Sequence, residues 1–211
     1  MLIGLVADIH DHVEPLARAL ELFRRCKVDL VVTLRDSCDA FTRHSRADEV
    51  VALLRGANAV GVWGNHDMGL CHAVADRTRQ RYSAAALDFL ATMQPRLTVA
   101  DCHFSHVEPA IDPFDAQAMW SFDEDGPIDF AGRARRSFAA VAERLVFVGH
   151  YHRRLAATAS GMIIWRGVGP LSLEGTERYF VVIGAVFQGQ CGVLDTERCE
   201  LCPLACGANC A

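Results

Sequence analysis

Polar side chains able to bind metals or transfer protons follow a buried apolar run near the middle of the sequence. Residues 60–63 (Val-Gly-Val-Trp) are typical of a buried strand, which breaks at Gly64. An amide, an imidazole and a carboxylate then follow at Asn65, His66 and Asp67. Such groups make poor core, but functional sites in α/β sheets gather beyond the carboxyl ends of strands. This segment therefore predicts a site at one end of a sheet.

Four other short apolar runs also end at Asp or His residues. The polar residues at these four strand ends are Asp8, His10, Asp36, His106, His150 and His152. Chance could place one or two such endings in a chain of this length. Five of them indicate a single constellation of carboxylate, imidazole and amide groups.

In order, these five groups resemble the motifs of the calcineurin-like metallophosphoesterase family: Asp-x-His, a strand-ending Asp, Gly-Asn-His-Asp, a later His and Gly-His-x-His. The resemblance covers residues 1 to about 170. It implies an α/β fold in which two packed mixed β-sheets are flanked by helices, a four-layer sandwich. It also implies an enzyme that hydrolyses phosphate esters with two divalent metal ions, which could be Mn, Fe, Zn or Ni.

The resemblance further implies a role for each residue of the set. The metal ligands would be Asp8, His10 and His152 for the first ion, Asn65, His106 and His150 for the second, and Asp36 as the bridge between them. His66 would steady the developing charge and protonate the leaving group. Asp67 would orient the His66 ring through its other nitrogen.

Two histidines compete for one ligand position. His103 and His106 lie three residues apart on a predicted strand, so their side chains point to opposite faces. His106 is favoured because it ends the apolar run, and the Val-Glu-Pro that follows is typical of a loop.

Arg35 departs from the family pattern, which has Gly immediately before the bridging Asp36. Gly permits a positive φ, and a side chain held in that conformation costs roughly 1–2 kcal/mol. The Arg35 guanidinium could also reach the site, where it would either bind phosphate or compete with a metal. Arg153 directly follows Gly-His-Tyr-His, and its fork of donors matches phosphate oxygens. Both arginines are therefore predicted to bind substrate.

Composition limits the classes of partner. The chain has 211 residues, 51% of them hydrophobic, and a net charge of −5, which together fit one globular domain without a dominant basic surface. Residues 107–130 are rich in Asp and Glu and would repel long polyanions, so a nucleic acid polymer is not expected as the partner. Neither a targeting segment nor a run long enough to span a membrane is present, which predicts a cytoplasmic protein without a membrane partner.

The pattern of apolar residues also predicts how strands and helices are layered in the fold. Strands alternate with helices in the first half, and short strands dominate from residue 155 onward, so we expect two packed sheets with helices outside. Residues 1–195 are predicted to form one domain. Residues 196–211 are predicted to be a cysteine-rich tail that is either disordered or holds an additional metal ion or iron–sulfur cluster. The four tail cysteines are Cys199, Cys202, Cys206 and Cys210.

The leading functional hypothesis is a dimetal enzyme that hydrolyses a small phosphodiester or phosphomonoester. Within the same class, a protein phosphatase or a dinucleoside polyphosphate hydrolase remains open, because specificity lies in loops. A different class is a weakly active metal-binding regulatory protein, suggested by Arg35. The sequence leaves the natural substrate, the metal identity and the oligomeric state undetermined.

Overall fold

The structure, a computed structural model, describes residues 1–38, 45–120 and 128–208. In chain order its strands are β1 (Leu2–Val6), β2 (Leu30–Thr33), β3 (Val60–Gly61), β4 (Leu97–Val99), β5 (Cys102–Ser105), β6 (Leu145–Val148), β7 (Arg154–Thr158), β8 (Gly161–Ile163), β9 (Leu171–Ser172), β10 (Tyr179–Ile183), β11 (Gln190–Asp195) and β12 (Glu200–Ala205). Its helices are α1 (Val13–Cys26), α2 (Ala47–Gly56), α3 (Met68–Cys71), α4 (Asp76–Arg79), α5 (Ala84–Leu90), α6 (Ala116–Met119) and α7 (Phe130–Ala140), with a 3₁₀-helix at Val186–Gln188.

The first sheet has the strand order β3-β2-β1-β11-β12-β9. β1, β2 and β3 are parallel neighbours, whereas β11, β12 and β9 continue the sheet by antiparallel pairing. The parallel pairs are possible because helical crossovers carry the chain back to the same starting edge. The carboxyl ends of β1, β2 and β3 consequently lie together, just before Asp8, Asp36 and Asn65.

The second sheet has the strand order β4-β5-β6-β10-β7-β8. β5, β6 and β10 run parallel, and β4, β7 and β8 are antiparallel to their neighbours. The ends of β5 and β6 therefore lie side by side, just before His106 and His150. Both sheets are mixed, as predicted.

The main core lies between the two sheets. Ile3 and Leu5 of the first sheet belong to the same buried cluster as Phe104 and Phe147 of the second, whose rings lie 5.4 Å apart. On the outer face of the first sheet α1 and α2 close a second cluster, and on the outer face of the second sheet α7 closes another. The predicted fold of two packed mixed sheets flanked by helices is confirmed.

Helix α1 shows how the sequence fixes the outer layer over β1. Leu16, Ala19 and Phe23 are buried, and their spacing of three and four residues places them on one helix face. The Phe23 ring packs on Gly4 so closely that a Cβ there would lie 2.5 Å from Phe23 Cδ2. The missing side chain of Gly4 therefore lets α1 sit directly on the strand that leads to Asp8.

The strand predicted at residues 60–63 is shorter in the structure. It is reduced to β3 and an isolated bridge between Val62 and Gln94. β10 ends at Ile183, because Gly184 has a φ of 88° that turns the chain into the 3₁₀-helix. Among the described residues, no helix has the length and apolar character needed to cross a membrane.

The tail differs from the expectation of disorder over most of its length. β12 pairs with β11 along its six residues, and Asp195 Oδ1 accepts N–H bonds from Glu197 and Arg198 in the turn between them. Within the described ranges, which exclude Cys210, no group of three potential metal-binding side chains includes a tail cysteine. Hydrogen-bonded pairing thus explains residues 200–205 without a metal, and the domain boundary at residue 195 stays a prediction.

Candidate active site

The candidate site lies where the carboxyl ends of both sheets meet. Its side chains fall into three groups of potential metal ligands, and the group of His10, Asp36 and His66 joins the other two. In each group of Asp and His residues the ligand atoms lie within 4.8 Å of one another. The first group is Asp8, His10 and His152, and the second is Asp36, His106 and His150.

The first group joins the end of β1 to the Gly-His-Tyr-His segment after β6. His10 Nε2 lies 3.3 Å from His152 Nε2, and His152 Nε2 lies 3.6 Å from Asp8 Oδ1. Asp8 Oδ1 also accepts the backbone N–H of His150 at 3.1 Å, which ties the two segments together. A carboxylate and two imidazoles thus converge on one small volume.

The second group adds an amide oxygen. Asn65 Oδ1 lies 2.8 Å from His106 Nε2 and 3.1 Å from His150 Nδ1. His106 Nε2 also lies 3.1 Å from Asp36 Oδ2. All four side chains are buried. The other ring nitrogen of His106 lies 2.7 Å from the Leu34 carbonyl oxygen, so its N–H donates to this carbonyl and directs Nε2 into the group.

Asp36 connects the two groups. The same oxygen, Oδ2, lies 3.1 Å from His106 Nε2 and 3.9 Å from His10 Nε2. The other oxygen, Oδ1, accepts the backbone N–H of His66 at 2.9 Å. One Asp36 oxygen therefore faces both groups, while the other accepts a hydrogen bond that fixes the neighbouring segment.

Burial and neighbouring charges shift the pKa values of the histidines in the site. Burial lowers the pKa of His10 to about 4 and that of His150 to about 3, so both rings are neutral and offer lone pairs. Burial opposes charge on His106 as well, but the adjacent Asp36 carboxylate raises its pKa to about 9. Asp8 Oδ2 is buried without a hydrogen-bond partner among the described residues. An orphaned carboxylate oxygen beside neutral imidazoles fits a divalent metal.

The backbone that carries these side chains is strained. Positive φ values occur at non-glycine residues throughout the site loops, including Asp8, His10, Arg35, Asp36, His150 and His152. Residues with a Cβ rarely adopt this conformation, and where it persists it clusters at functional sites. The concentration of strain at the ligand-bearing loops supports a functional reason for their geometry.

Comparison with known proteins identifies the family. A model of the calcineurin-like phosphoesterase superfamily domain matches residues 1–184. The chain belongs to this superfamily. Membership supports metal-dependent hydrolysis of phosphoesters in general, implies divalent metal ions and suggests small phosphoester substrates. No curated protein gave a significant match.

Solved structures share the fold. A metallophosphoesterase from Sphaerobacter thermophilus is 22% identical with a TM-score of 0.74, over 97% of this chain and 87% of that one. A hypothetical protein from Pyrococcus horikoshii OT3 is 13% identical with a TM-score of 0.67, again over 97% and 87%. An archaeal phosphodiesterase is 17% identical with a TM-score of 0.53, over 97% and 99%. At these identities the likeness shows the superfamily fold alone.

Arg35, where the superfamily resemblance predicts Gly, adopts the expected positive φ of 60°. Its side chain, however, is fully buried, and Nε donates to Asp67 Oδ2 at 3.0 Å. The guanidinium also approaches the Cys71 sulfur at 3.8 Å, in the core beneath α3. The predicted contact between Arg35 and substrate is therefore not made, because the left-handed backbone directs the side chain into the core.

Asp67 also differs from its predicted role. Its Oδ1 accepts the N–H of Gly64 at 2.8 Å, and its Oδ2 accepts the N–H of Ser37 at 2.8 Å in addition to the Arg35 bond. Among the described residues it makes no hydrogen bond with His66. Asp67 thus joins the loop of Asp36 to the Gly64–Asp67 segment, and the structure does not support the orientation of His66 by Asp67.

His66 lies at the edge of the ligand groups with its ring half-buried. One of its ring nitrogens lies within 4.8 Å of ligand atoms of His10 and Asp36, and its ring meets that of His10 edge-on at 4.7 Å. Arg153 is exposed, donates to the Tyr151 carbonyl oxygen at 3.3 Å and lies over the Phe130 ring. Both roles, proton donor and substrate contact, stay predictions.

Sequence reasoning missed a buried network behind the site. Glu108 accepts from the Tyr151 hydroxyl and pairs with Arg133 of α7, and all three are nearly inaccessible. Tyr151 lies between the ligand candidates His150 and His152, so the network anchors that segment. The sequence shows Glu108 after β5 and Tyr151 inside the Gly-His-Tyr-His motif, but it does not show that the two side chains meet in the folded protein.

Proposed function

We propose that this chain is a dimetal phosphoesterase that hydrolyses a small phosphodiester or phosphomonoester. The single observation that carries the proposal is the position of Asp36 Oδ2, which faces His10 in one ligand group and His106 in the other. The first ion would be held by Asp8, His10 and His152 with Asp36. The second would be held by the same Asp36 with Asn65, His106 and His150.

When bound, two divalent metal ions lower the pKa of water and stabilise negative charge on the phosphoryl oxygens. The protein itself supplies a proton donor, His66, at a fixed position. The backbone N–H of His66 bonds to Asp36, so this residue is held at a fixed distance from the ligand groups. Its half-buried imidazole lies beside ligand atoms of His10 and Asp36 and protonates the departing oxygen, which assists the cleavage of a poor leaving group.

The test is hydrolysis of an aryl phosphodiester and an aryl phosphomonoester by protein stripped with a chelator and then supplied with Mn²⁺. We expect turnover that depends on the added metal, and the faster substrate gives the ester preference. Two ions bound without turnover of either substrate would favour the regulatory alternative. The position of Arg35 argues against that alternative, since its buried guanidinium neither enters the site nor competes with a cation. The cytoplasmic location stays a prediction.

Replacement of His66 by glutamine should reduce kcat about 10²- to 10⁴-fold, the usual contribution of a positioned general acid. The amide cannot donate a proton to the leaving group, but the ligand groups keep all their proposed side chains. We therefore expect unchanged Mn²⁺ stoichiometry, measured by metal analysis after equilibrium dialysis. The loss should shrink for esters with strongly acidic leaving groups, and an equal loss for all leaving groups would contradict the assigned role.

A further inference from the structure

Trp120 is a large apolar side chain that is partly exposed beside the His66 ring. It follows directly after α6, and 39% of its surface is accessible. The centre of its indole lies 4.6 Å from that of the His66 ring, with the two planes inclined by 49°. An exposed aromatic surface beside the proposed proton donor is a ready contact for a bound molecule.

Trp120 and the ring of Phe187 lie on different sides of the site. The His66 ring has His10, a proposed ligand, at 4.7 Å and Trp120 at 4.6 Å. A second aromatic residue, Phe187, instead meets His10 and His152 at 5.5 and 4.9 Å. Phe187 therefore flanks the first ligand group, whereas Trp120 flanks the residue that protonates the leaving group.

We propose that Trp120 is the contact for the leaving group and that the substrate is a phosphoester whose leaving alcohol carries a planar aromatic ring. This inference rests on the proposed function, which places the leaving oxygen beside His66. In the reaction, the oxygen of water forms the new bond to phosphorus and one water proton passes to solvent. The bond from phosphorus to the leaving oxygen breaks, and that oxygen takes its proton from His66.

An aromatic ring on the leaving alcohol fits this position for two reasons. A ring stacked on the accessible indole keeps the ester oxygen on the His66 side of the phosphoryl group. Stacking on an aromatic side chain also tolerates different rings, because each has a π-face. A nucleoside and a simple aryl alcohol share this chemistry, and the substrates chosen for the test separate them.

The test compares Trp120→Ala with the wild type on three phosphate esters of the type that the wild type hydrolyses: a phenyl, a nucleoside and a glycerol ester. Taking the ratio of wild-type to variant kcat/KM for each substrate removes the different intrinsic reactivities. We expect kcat/KM to fall roughly tenfold to a hundredfold for an aromatic ester and less than about twofold for the glycerol ester. A loss confined to the nucleoside or to the phenyl ester identifies the source of the ring. Trp120→Phe should recover most of the loss.

Phe114 provides a matched control. It is 50% exposed in the same segment, but its ring packs on Trp63 and His72 at 5.4 and 5.2 Å. Phe114→Ala should leave all three kcat/KM values within about twofold, as expected of a surface change outside the site. An equal loss for the glycerol and aromatic esters in Trp120→Ala would overturn the proposal, because Trp120 would then act only by positioning His66.

A binding measurement separates failure of this inference from failure of the proposed function. Isothermal titration uses the Mn²⁺-loaded protein with inorganic phosphate and with the phosphonate analogue of adenosine 5′-monophosphate, in which a P–C bond replaces the scissile P–O bond, so that no turnover occurs. We expect Trp120→Ala to weaken nucleotide binding about tenfold and to leave phosphate binding unchanged. If nucleotide binding is weaker in Trp120→Ala than in the wild type but the wild type hydrolyses no ester, the proposed function fails and the aromatic subsite stands. Equal nucleotide affinity in wild type and variant overturns the subsite.

Discussion

Replacement of Asp36 by asparagine should lower kcat/KM by about a thousandfold or more, because several kcal/mol of charge stabilisation depend on the bridge. Asp36 Oδ2 lies 3.1 Å from His106 Nε2 and 3.9 Å from His10 Nε2, so one negative charge serves both ligand groups. The asparagine amide has nearly the same shape and can still accept the N–H of His66, but it carries no charge. We therefore expect a folded protein with weakened binding of at least one ion.

The measurement combines steady-state kinetics with Mn²⁺ analysis of the dialysed variant. Asp29→Asn is the matched control, since Asp29 precedes β2 whereas Asp36 follows it. The Asp29 carboxylate accepts the N–H of Leu2 at 2.7 Å, away from the site. This variant should keep wild-type metal content and activity within about twofold. Asp36→Asn with wild-type turnover would refute the bridging role.

Replacement of Arg35 by methionine should reduce the free energy of unfolding by about 3–5 kcal/mol, the usual cost of removing one partner of a buried ion pair. Both Arg35 and Asp67 are fully inaccessible. Without the guanidinium, the Asp67 carboxylate stays buried with only the N–H donors of Gly64 and Ser37. For a chain of this size the melting temperature should fall by about 10 °C.

A double-mutant cycle tests whether the ion pair causes this loss. Asp67→Asn alone leaves Arg35 charged and buried, and should also destabilise the protein. The double variant, which combines Arg35→Met with Asp67→Asn, retains no unpaired charge, so its loss should be smaller than the sum of the single losses. Arg24→Met removes an exposed Arg24–Glu21 pair and should change the unfolding free energy by less than about 1 kcal/mol. Additive single losses, or an Arg35→Met loss no larger than the surface control, would contradict the role of the pair.

The ligand groups could be predicted from the sequence because each depends on a local pattern. A short apolar run followed by Asp, Asn or His places the polar residue at a strand end, and parallel strands bring those ends together. Asp8, His106 and His150 follow β1, β5 and β6 in this way. In the structure His106 and His150 share a ligand group, and Asp8 Oδ1 accepts the N–H of His150. The two-sheet architecture follows from the same alternation of strands and helices.

The contacts of Arg35 and Asp67 could not be predicted, since the direction of a side chain depends on the space that the whole fold leaves. A positive φ was foreseeable for Arg35, but the buried partner across 32 residues of sequence was not. β12 was missed for a similar reason. Its sequence is short, contains a cysteine and is interrupted by Pro203, and only its pairing with β11 defines it as a strand.

The most direct test of the dimetal function is the dependence of turnover on the number of bound metal ions. Metal-free protein is titrated with Mn²⁺ while bound metal and hydrolysis of an aryl phosphoester are measured on the same samples. We expect two ions per chain, with turnover that requires both, and a change in stoichiometry when His106 or His152 is replaced by alanine. Full turnover by metal-free protein, or wild-type metal binding in both alanine variants, would contradict the dimetal function.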